Sequence, residues 1–238
     1  MAIFAIGDLH LPGHQEKPMN VFGDHWDRHF DTIKENWLSM IAPEDTVLIP
    51  GDISWAMTMD EVRDDLRAIE ALPGKKLILR GNHDYWWSSI SKVRGLLGEN
   101  MHAIQNDALV VDGTVFCGTR GWNIPLNGQT FSEQDEKIYQ REILRLEMSL
   151  NAAMKTGLPI VVMMHFPPLY RDVLSTGFTD VLERYPVEKV VYGHLHGLGI
   201  KIGFEGTRRG IDYHLVSCDA LRFIPKKLEK NNFFADEK

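Results

Sequence analysis

Five short runs of apolar, often β-branched residues recur along the chain, and this recurrence constrains the fold more than any other feature of the sequence. The runs cover residues 2–6, 46–49, 76–79, 160–164 and 187–192. Each is nearly all apolar and has the length of a strand that is buried on both faces. Amphipathic stretches separate the runs and place apolar residues at helical spacing, as at Trp26, Phe30, Ile33, Trp37 and Met40. This alternation predicts an α/β fold.

Some segments predict elements outside this alternation. Residues 108–118 are typical of a hairpin that turns at the Asp-Gly pair 112–113. Residues 200–216 alternate in a way that predicts a second antiparallel pair, so mixed sheets are expected. Residues 139–153 predict a longer helix that packs on a sheet. The lysine-rich segment from Pro225 onward is expected to be a solvated terminus.

Length and composition indicate one globular domain. A chain of 238 residues with 44% apolar and 25% charged residues is expected to form a single domain over residues 1–238. The formal net charge of -7 argues against a surface that binds nucleic acid non-specifically, because such binding depends on Lys and Arg. A nuclease is therefore an alternative that the charge disfavours.

The cysteines and the first residues bear on location. Cys117 and Cys218 are too few for a disulfide framework and lack the Cys-x-x-Cys spacing of zinc sites. Reduced thiols of this kind predict a cytoplasmic protein. The apolar start at residues 2–6 is interrupted by Gly7 and Asp8, so it is too short for a signal peptide or a membrane span. No membrane partner is expected, and no sequence feature indicates an oligomeric state.

Each apolar run is followed at once by residues able to bind metal ions. In chain order these are Gly7-Asp8-Leu9-His10, Gly51-Asp52, Gly81-Asn82-His83-Asp84, His165 and Gly193-His194-Leu195-His196. Because the strand ends of open α/β sheets line a common crevice, the side chains are expected to converge. Oxygen and imidazole donors without thiolates suit a catalytic site for Mn, Fe, Zn, Co or Ni. Their number exceeds what one tetrahedral metal needs and fits two metals that share a carboxylate.

The spacing within the motifs predicts local geometry. Asp8 and His10, and likewise His194 and His196, are two residues apart, and on extended backbone each pair would point to the same side. The preceding glycines permit close approach of neighbouring backbone.

In this order the motifs resemble the signature of the calcineurin-like metallophosphoesterase superfamily over residues 8–196. The resemblance implies a four-layer α-β-β-α sandwich of two mixed sheets flanked by helices. It implies one metal ion held by Asp8, His10 and His196, a second held by Asn82, His165 and His194, and Asp52 bridging them. It further implies a bridging hydroxide as the nucleophile, and His83 as a general acid or transition-state stabiliser oriented by Asp84.

The same resemblance implies a metal-dependent phosphohydrolase, with Mn as the expected metal. Serine/threonine protein phosphatases of the superfamily have Asp-Arg-Gly after the Gly-Asp motif, whereas Ile53, Ser54 and Trp55 follow Asp52 here. The expected substrate is therefore a small phosphodiester or phosphomonoester. A non-enzymatic scaffold subunit is an alternative from another class, although such a subunit would be expected to have lost ligands.

Two further interpretations concern substrate binding and the remaining histidines. Asn82 and Arg120 are candidate substrate-binding residues, because the planar guanidinium of Arg120 can pair with a phosphate oxygen. A surface salt bridge is the alternative for Arg120. His25 and His29, one turn apart on a predicted helix, are interpreted as a solvent-facing pair.

Overall fold

Two stacked β-sheets with helices on their outer faces form the structure, a computed structural model that describes residues 1–15, 17–126 and 130–229. The strands are β1 (Ile3–Ala5), β2 (Thr46–Ile49), β3 (Lys75–Ile78), β4 (Met101–Ala103), β5 (Ala108–Val111), β6 (Thr114–Thr119), β7 (Ile160–Met164), β8 (Val187–Tyr192), β9 (Gly206–Arg208), β10 (Ile211–Leu215) and β11 (Lys226–Leu228). The α-helices are α1 (His29–Met40), α2 (Arg63–Glu70), α3 (Ile90–Arg94), α4 (Glu133–Met154) and α5 (Gly177–Leu182). Short 3₁₀ helices cover Met19–Phe22, Asp24–Trp26 and Gly197–Ile202.

Both sheets are mixed. The first has the order β11-β1-β2-β3-β4, in which only the β11–β1 pair is antiparallel. The second has the order β5-β6-β7-β8-β10-β9, with parallel strands from β6 to β10 and an antiparallel strand at each edge. The parallel strands direct their carboxyl ends to one edge of the sandwich, which is where the polar motifs lie.

Three apolar clusters fill the spaces between four layers. Ala5 and Phe116 belong to a cluster between the two sheets. Trp37 of α1 packs with a second cluster on the outer face of the first sheet. Leu146 of α4 packs with a third on the outer face of the second sheet. The predicted four-layer α-β-β-α sandwich of two mixed sheets is therefore confirmed. No helix among the described residues is long and apolar enough to cross a membrane.

The predicted strands and the hairpin are confirmed, whereas several boundaries were wrong. Trp26 is buried but lies in a 3₁₀ turn, and helix α1 begins only after Arg28, whose left-handed backbone interrupts the pattern. The second antiparallel pair is confined to β9 and β10, because the start of the predicted range forms the 3₁₀ helix Gly197–Ile202. The segment from Pro225 onward was predicted as a solvated terminus, yet its first residues form β11, which pairs with β1. Residues 230–238 of that segment lie outside the described residues.

Candidate metal centre

The predicted metal-binding side chains converge at the carboxyl ends of β1, β2, β3, β7 and β8. They form two groups in which the donor atoms lie within 4.8 Å of one another: Asp8, His10 and His196, and Asp52, His165 and His194. Asn82 adds to the second group, since its Oδ1 atom lies 2.6 Å from Nε2 of His165 and 2.9 Å from Nδ1 of His194. Residues that are 188 positions apart in the sequence, such as Asp8 and His196, thus meet at one site.

Asp52 belongs to the second group and also lies close to the first. Its Oδ2 atom is 3.9 Å from Nε2 of His10 in the first group and 3.5 Å from Nε2 of His165 in the second. The other oxygen, Oδ1, accepts a hydrogen bond of 2.8 Å from the backbone N–H of His83. One carboxylate oxygen therefore faces both groups while the other fixes its orientation.

Two backbone contacts bring the strand exits together. The N–H of His194 donates to both carboxylate oxygens of Asp8, at 3.0 and 3.1 Å. A Cβ atom on Gly193 would lie 2.3 Å from Oδ2 of Asp8, and one on Gly81 would lie 2.1 Å from Oδ1 of Asp52. Glycine is required at both positions because any side chain would displace a carboxylate of the site.

The ligand backbone is not extended as the motif spacing predicted. Asp8, His10, Asp52 and His194 have positive φ angles of 58°, 45°, 51° and 72°. A left-handed conformation costs roughly 1–2 kcal/mol for an L-residue, and such strain clusters at functional sites. The expectation that Asp8 and His10 sit on extended backbone was therefore wrong, although their side chains do converge.

Hydrogen bonds at the outer ring nitrogens orient two imidazoles. Nδ1 of His165 lies 3.1 Å from the carbonyl oxygen of Pro50, and Nδ1 of His196 lies 2.8 Å from Oδ1 of Asp219. Each acceptor holds a proton on Nδ1, so Nε2 is the ring nitrogen directed at the candidate metal site. No sequence motif pointed to Asp219, which follows the last motif without any metal-ligand spacing.

Burial and mutual repulsion control the charges of the centre. Burial lowers the pKa of His10 and His165, and burial together with the neighbouring His165 lowers the pKa of His194 to about 3. Neutral imidazoles, the form that binds metal ions, are thus favoured at these positions. Burial and the nearby Asp8 carboxylate raise the pKa of Asp52, so a cation beside these carboxylates would relieve an unfavourable arrangement.

His83 and Asp84 differ in burial and in their hydrogen bonds. The ring of His83 is half-buried, its centroid lies 5.9 Å from that of His10, and its Nδ1 is 3.3 Å from the hydroxyl of Tyr85. The Asp84 carboxylate is fully buried and accepts hydrogen bonds from three backbone N–H groups, those of Ile53, Ser54 and Gly81, and from the Trp86 indole. Within the described residues no hydrogen bond joins Asp84 to the His83 side chain.

Aromatic residues form one wall of the centre. The indole of Trp55 stacks on His10 with a centroid distance of 5.0 Å and contacts His83 at 4.5 Å.

His29 was predicted to face solvent, but its Nε2 lies 2.8 Å from the carbonyl oxygen of Leu9 within the first motif. That prediction was wrong, because His29 supports the loop that carries Asp8 and His10.

Comparison with known proteins decides the family. The family model described as calcineurin-like phosphoesterase matches residues 1–198 of the chain. The chain belongs to the calcineurin-like phosphoesterase family. Membership assigns the matched residues to the metal-dependent phosphohydrolases and confirms the resemblance expected from the motifs.

Individual relatives of this phosphoesterase are distant. The gene 66 protein of Mycobacterium phage L5 is 34% identical over 77 residues, which is 32% of this chain and only 37% of the length of that protein. The phosphopantetheinyl hydrolase of Mycobacterium tuberculosis is 15% identical, with a TM-score of 0.55 over 99% of this chain and 98% of that one. A protein of unknown function from Aquifex aeolicus is 17% identical, with a TM-score of 0.49 and 95% of each chain covered. The similarity to the hydrolase shows the fold.

The donor set of this phosphoesterase fits divalent metal ions. In the first group, Nε2 of His10 lies 3.3 Å from Nε2 of His196, which in turn lies 3.5 Å from Oδ1 of Asp8. Burial opposes protonation of His196, but hydrogen bonds to Asp219 and Asp8 raise its pKa to about 10. The position therefore favours a positive charge, as a cation site should, and the mixed oxygen and nitrogen donors suit divalent first-row metals.

Arg120 lies beside the centre rather than among its ligands. Its carbonyl oxygen accepts hydrogen bonds from the N–H groups of His165 and Phe166, at 3.1 and 2.9 Å. Its guanidinium lies over the Trp122 ring and is 3.9 Å from the Glu142 carboxylate. The side chain thus points into a neighbouring pocket.

Proposed function

We propose that this phosphoesterase hydrolyses a small phosphodiester or phosphomonoester with the aid of two divalent metal ions, preferably Mn. The observation that carries the proposal is the position of Asp52, one oxygen of which faces both donor groups at 3.5 and 3.9 Å. A shared carboxylate between two ligand sets is the arrangement that two-metal hydrolysis requires.

The ligands divide between the two ions as the donor groups do. Asp8, His10 and His196 would hold one ion, Asn82, His165 and His194 would hold the other, and Asp52 would contact both. When bound, the pair of ions supplies activation of water and neutralisation of charge on the phosphoryl oxygens. In the reaction a P–O bond to the water oxygen forms, the P–O bond to the leaving group breaks, and the leaving oxygen acquires a proton.

His83 is proposed to act on the leaving oxygen. Burial and the nearby His165 lower the pKa of His83 to about 4, so its imidazole is neutral near pH 7. Donation from the Tyr85 hydroxyl to Nδ1 of His83, over 3.3 Å, would leave the imidazole proton on Nε2. That N–H can hydrogen-bond to the departing oxygen as negative charge develops on it, which supports a role for His83 in stabilising the transition state.

Asp84 is proposed as a positioning residue that acts through the backbone. Its carboxylate ties the N–H of Gly81 to those of Ile53 and Ser54, so it joins the loops that carry Asn82 and Asp52. The orientation of His83 by Asp84 would then be indirect, through the loop rather than through a side-chain contact.

The remaining assignments are also proposals. Asn82 and Arg120 are proposed to contact phosphate oxygens of the substrate. Pairing of β11 with β1 supports a single domain over residues 1–238, because it ties residues beyond the matched range to the first sheet. The free, buried thiols of Cys117 and Cys218 support a cytoplasmic location.

Hydrolysis of two model substrates tests this function. The full chain is stripped of metal and assayed with bis-p-nitrophenyl phosphate and p-nitrophenyl phosphate, with and without Mn. Turnover that Mn restores and that Asp52→Asn abolishes would support the proposal, while His102→Gln on β4 serves as a histidine control away from the centre. Absence of turnover with two ions bound per chain would support the scaffold alternative instead.

A further inference from the structure

A pocket rich in arginine adjoins the metal centre. The pocket has a volume of about 290 Å³ and lies where β3, β4 and β6 end against helix α4. Its charged lining consists of Arg80, Arg120, Arg141, Arg145 and Glu142, and we call it the arginine pocket. A concentration of positive charge is unexpected in a chain whose formal net charge is -7.

The positive charges of the arginine pocket are poorly compensated. Glu142 is buried, accepts a hydrogen bond of 2.6 Å from the Thr119 hydroxyl and pairs with Arg145 at 2.6 Å. The same carboxylate is 3.9 Å from Nη2 of Arg120, so two arginines share one acid. Within the described residues, the guanidinium groups of Arg80 and Arg141 have no hydrogen-bond or ion-pair partner.

Arg80 provides an unsatisfied donor. Its Nε atom is buried, although it has no hydrogen-bond partner within the described residues. A buried donor without an acceptor is costly, and charged donors are costlier than neutral ones. Burial lowers the pKa of Arg120; Glu142 partly offsets this effect, but Arg80, Arg145 and Arg141 lower the pKa further. An anion in the pocket would satisfy the donor and offset the repulsion.

The arginine pocket lies next to the centre. Arg80 precedes the ligand Asn82 by two residues, which span at most about 7 Å of chain. The Arg120 guanidinium is 4.9 Å from the Trp122 ring, which lies 5.4 Å from Phe166, and Phe166 packs 4.2 Å from the ligand His194. Contacts through Trp122 and Phe166 therefore connect the arginine pocket to the ligand His194.

We propose that the arginine pocket binds a second phosphate group of the substrate, one that is not hydrolysed, while the scissile phosphoester lies at the metal centre. This inference rests on the proposed function. Planar guanidinium groups bind phosphate oxygens in pairs, and several of them around one cavity suit a dianionic group. The substrate class is then a small molecule with at least two phosphate groups, rather than a nucleic-acid polymer, which would need an extended basic track.

A series of bisphosphates of different length tests the inference. Alkanediol bisphosphates with two to eight carbons between the phosphates are compared with the matching alkyl monophosphates as inhibitors of bis-p-nitrophenyl phosphate hydrolysis by the Mn-loaded full chain. At the length that spans both sites, the bisphosphate should inhibit at least about tenfold more strongly than the monophosphate. Variation of the length makes the result independent of any assumed spacing.

Arginine variants assign the effect to the pocket. Arg120→Gln and Arg141→Gln should each reduce the advantage of the best bisphosphate to within about threefold of its monophosphate. Arg141 is exposed, so its replacement leaves the core intact even if Arg120→Gln fails to fold. Arg67→Gln, which alters an exposed arginine paired with Asp64 on α2, should keep both the activity and the advantage. The inference is overturned if no length gives an advantage, or if the advantage survives in both pocket variants.

A binding measurement separates this inference from the proposed function. Inorganic phosphate is titrated by calorimetry into metal-stripped wild type, Arg141→Gln and Arg67→Gln. Suppose that Arg141→Gln alone weakens phosphate binding, while the chain hydrolyses no phosphoester. That result would contradict the proposed function and, with it, the assignment of the pocket to a substrate phosphate. Hydrolysis without any bisphosphate advantage would leave the function intact and overturn the pocket alone.

Discussion

The Nδ1 atom of His196 donates a hydrogen bond of 2.8 Å to Oδ1 of Asp219, a residue outside all the metal-binding motifs. The other oxygen of Asp219 accepts from the N–H of Gly197 at 3.0 Å, so the carboxylate is fixed from two sides. Carboxylate partners of this kind hold the ring of a ligand histidine in place and raise its basicity. Asp219 is therefore expected to position His196 for the first of the two proposed metal ions.

Replacement of Asp219 should weaken one of the two metal sites. Asp219→Asn is expected to lower the affinity for one of the two Mn ions about tenfold to a hundredfold, as measured by calorimetry on the metal-stripped chain. Asp180→Asn, on the exposed face of α5, should leave the affinity unchanged. Equal affinities in wild type and Asp219→Asn would show that Asp219 does not support His196.

A methyl group at Gly81 should disrupt the centre. The added Cβ of Gly81→Ala would lie 2.1 Å from Oδ1 of Asp52, so the carboxylate must move. A displacement on the order of 1 Å is expected to reduce kcat about a hundredfold and to reduce bound metal. Gly95→Ala is the control, because its nearest neighbour is a carbonyl at 3.5 Å. Full activity of Gly81→Ala would mean that Asp52 need not occupy its observed position.

Loss of His83 should affect rate more than metal content. His83→Ala is expected to lower kcat by about a hundredfold to ten-thousandfold, with two Mn ions still bound per chain. Tyr85→Phe, which removes only the hydroxyl near Nδ1 of His83, should lower kcat by less than about tenfold. Kinetics combined with metal analysis would refute the role of His83 if kcat stayed within about tenfold of wild type, or if the variant lost its metal.

Lys76 should make a large contribution to stability. It is fully buried, and its Nζ donates to the carbonyl oxygens of Glu70, Leu72 and Gly74, at 3.1, 2.5 and 2.9 Å. Lys76→Met would leave these acceptors unsatisfied and should lower the free energy of unfolding by about 3–5 kcal/mol in urea titrations. Lys75→Met, which removes a surface ion pair with Asp112, should cost at most about 1 kcal/mol. Similar losses in the two variants would contradict the interpretation.

Acid sensitivity should depend in part on His214. Burial lowers its pKa to about 4 from the usual 6.5, and its Nε2 has no hydrogen-bond partner within the described residues. Between these values the unfolded chain binds a proton that the folded chain does not, so the free energy of unfolding falls as the pH drops from 6.5 towards 4. His214→Val should reduce that fall by about 1–2 kcal/mol in urea titrations between pH 6.5 and 4.5. Parallel curves for the two proteins would refute the assignment.

The sequence predicted the convergence of ligands because glycine and donor residues directly follow each buried strand. It could not predict Asp219, since nothing in the spacing around that residue relates it to His196. The left-handed backbone at Asp8 and Asp52 could not be predicted from the sequence either. It arises from contacts between strand exits rather than from the conformational preference of the residues themselves. The arginine pocket could be predicted only in part. Arg120 was a candidate phosphate-binding residue from the sequence, but it is the tertiary fold that brings Arg80 and helix α4 to it.

Joint measurement of metal binding and turnover tests the two-metal site most directly. Mn is titrated into the metal-stripped full chain, and bound Mn and hydrolysis of bis-p-nitrophenyl phosphate are measured on the same samples. We predict saturation at two Mn ions per chain, turnover that rises with the second ion, and fewer than two ions bound by Asp52→Asn. Full turnover at one ion per chain, or unchanged binding and turnover in Asp52→Asn, would contradict a centre in which Asp52 joins two metals.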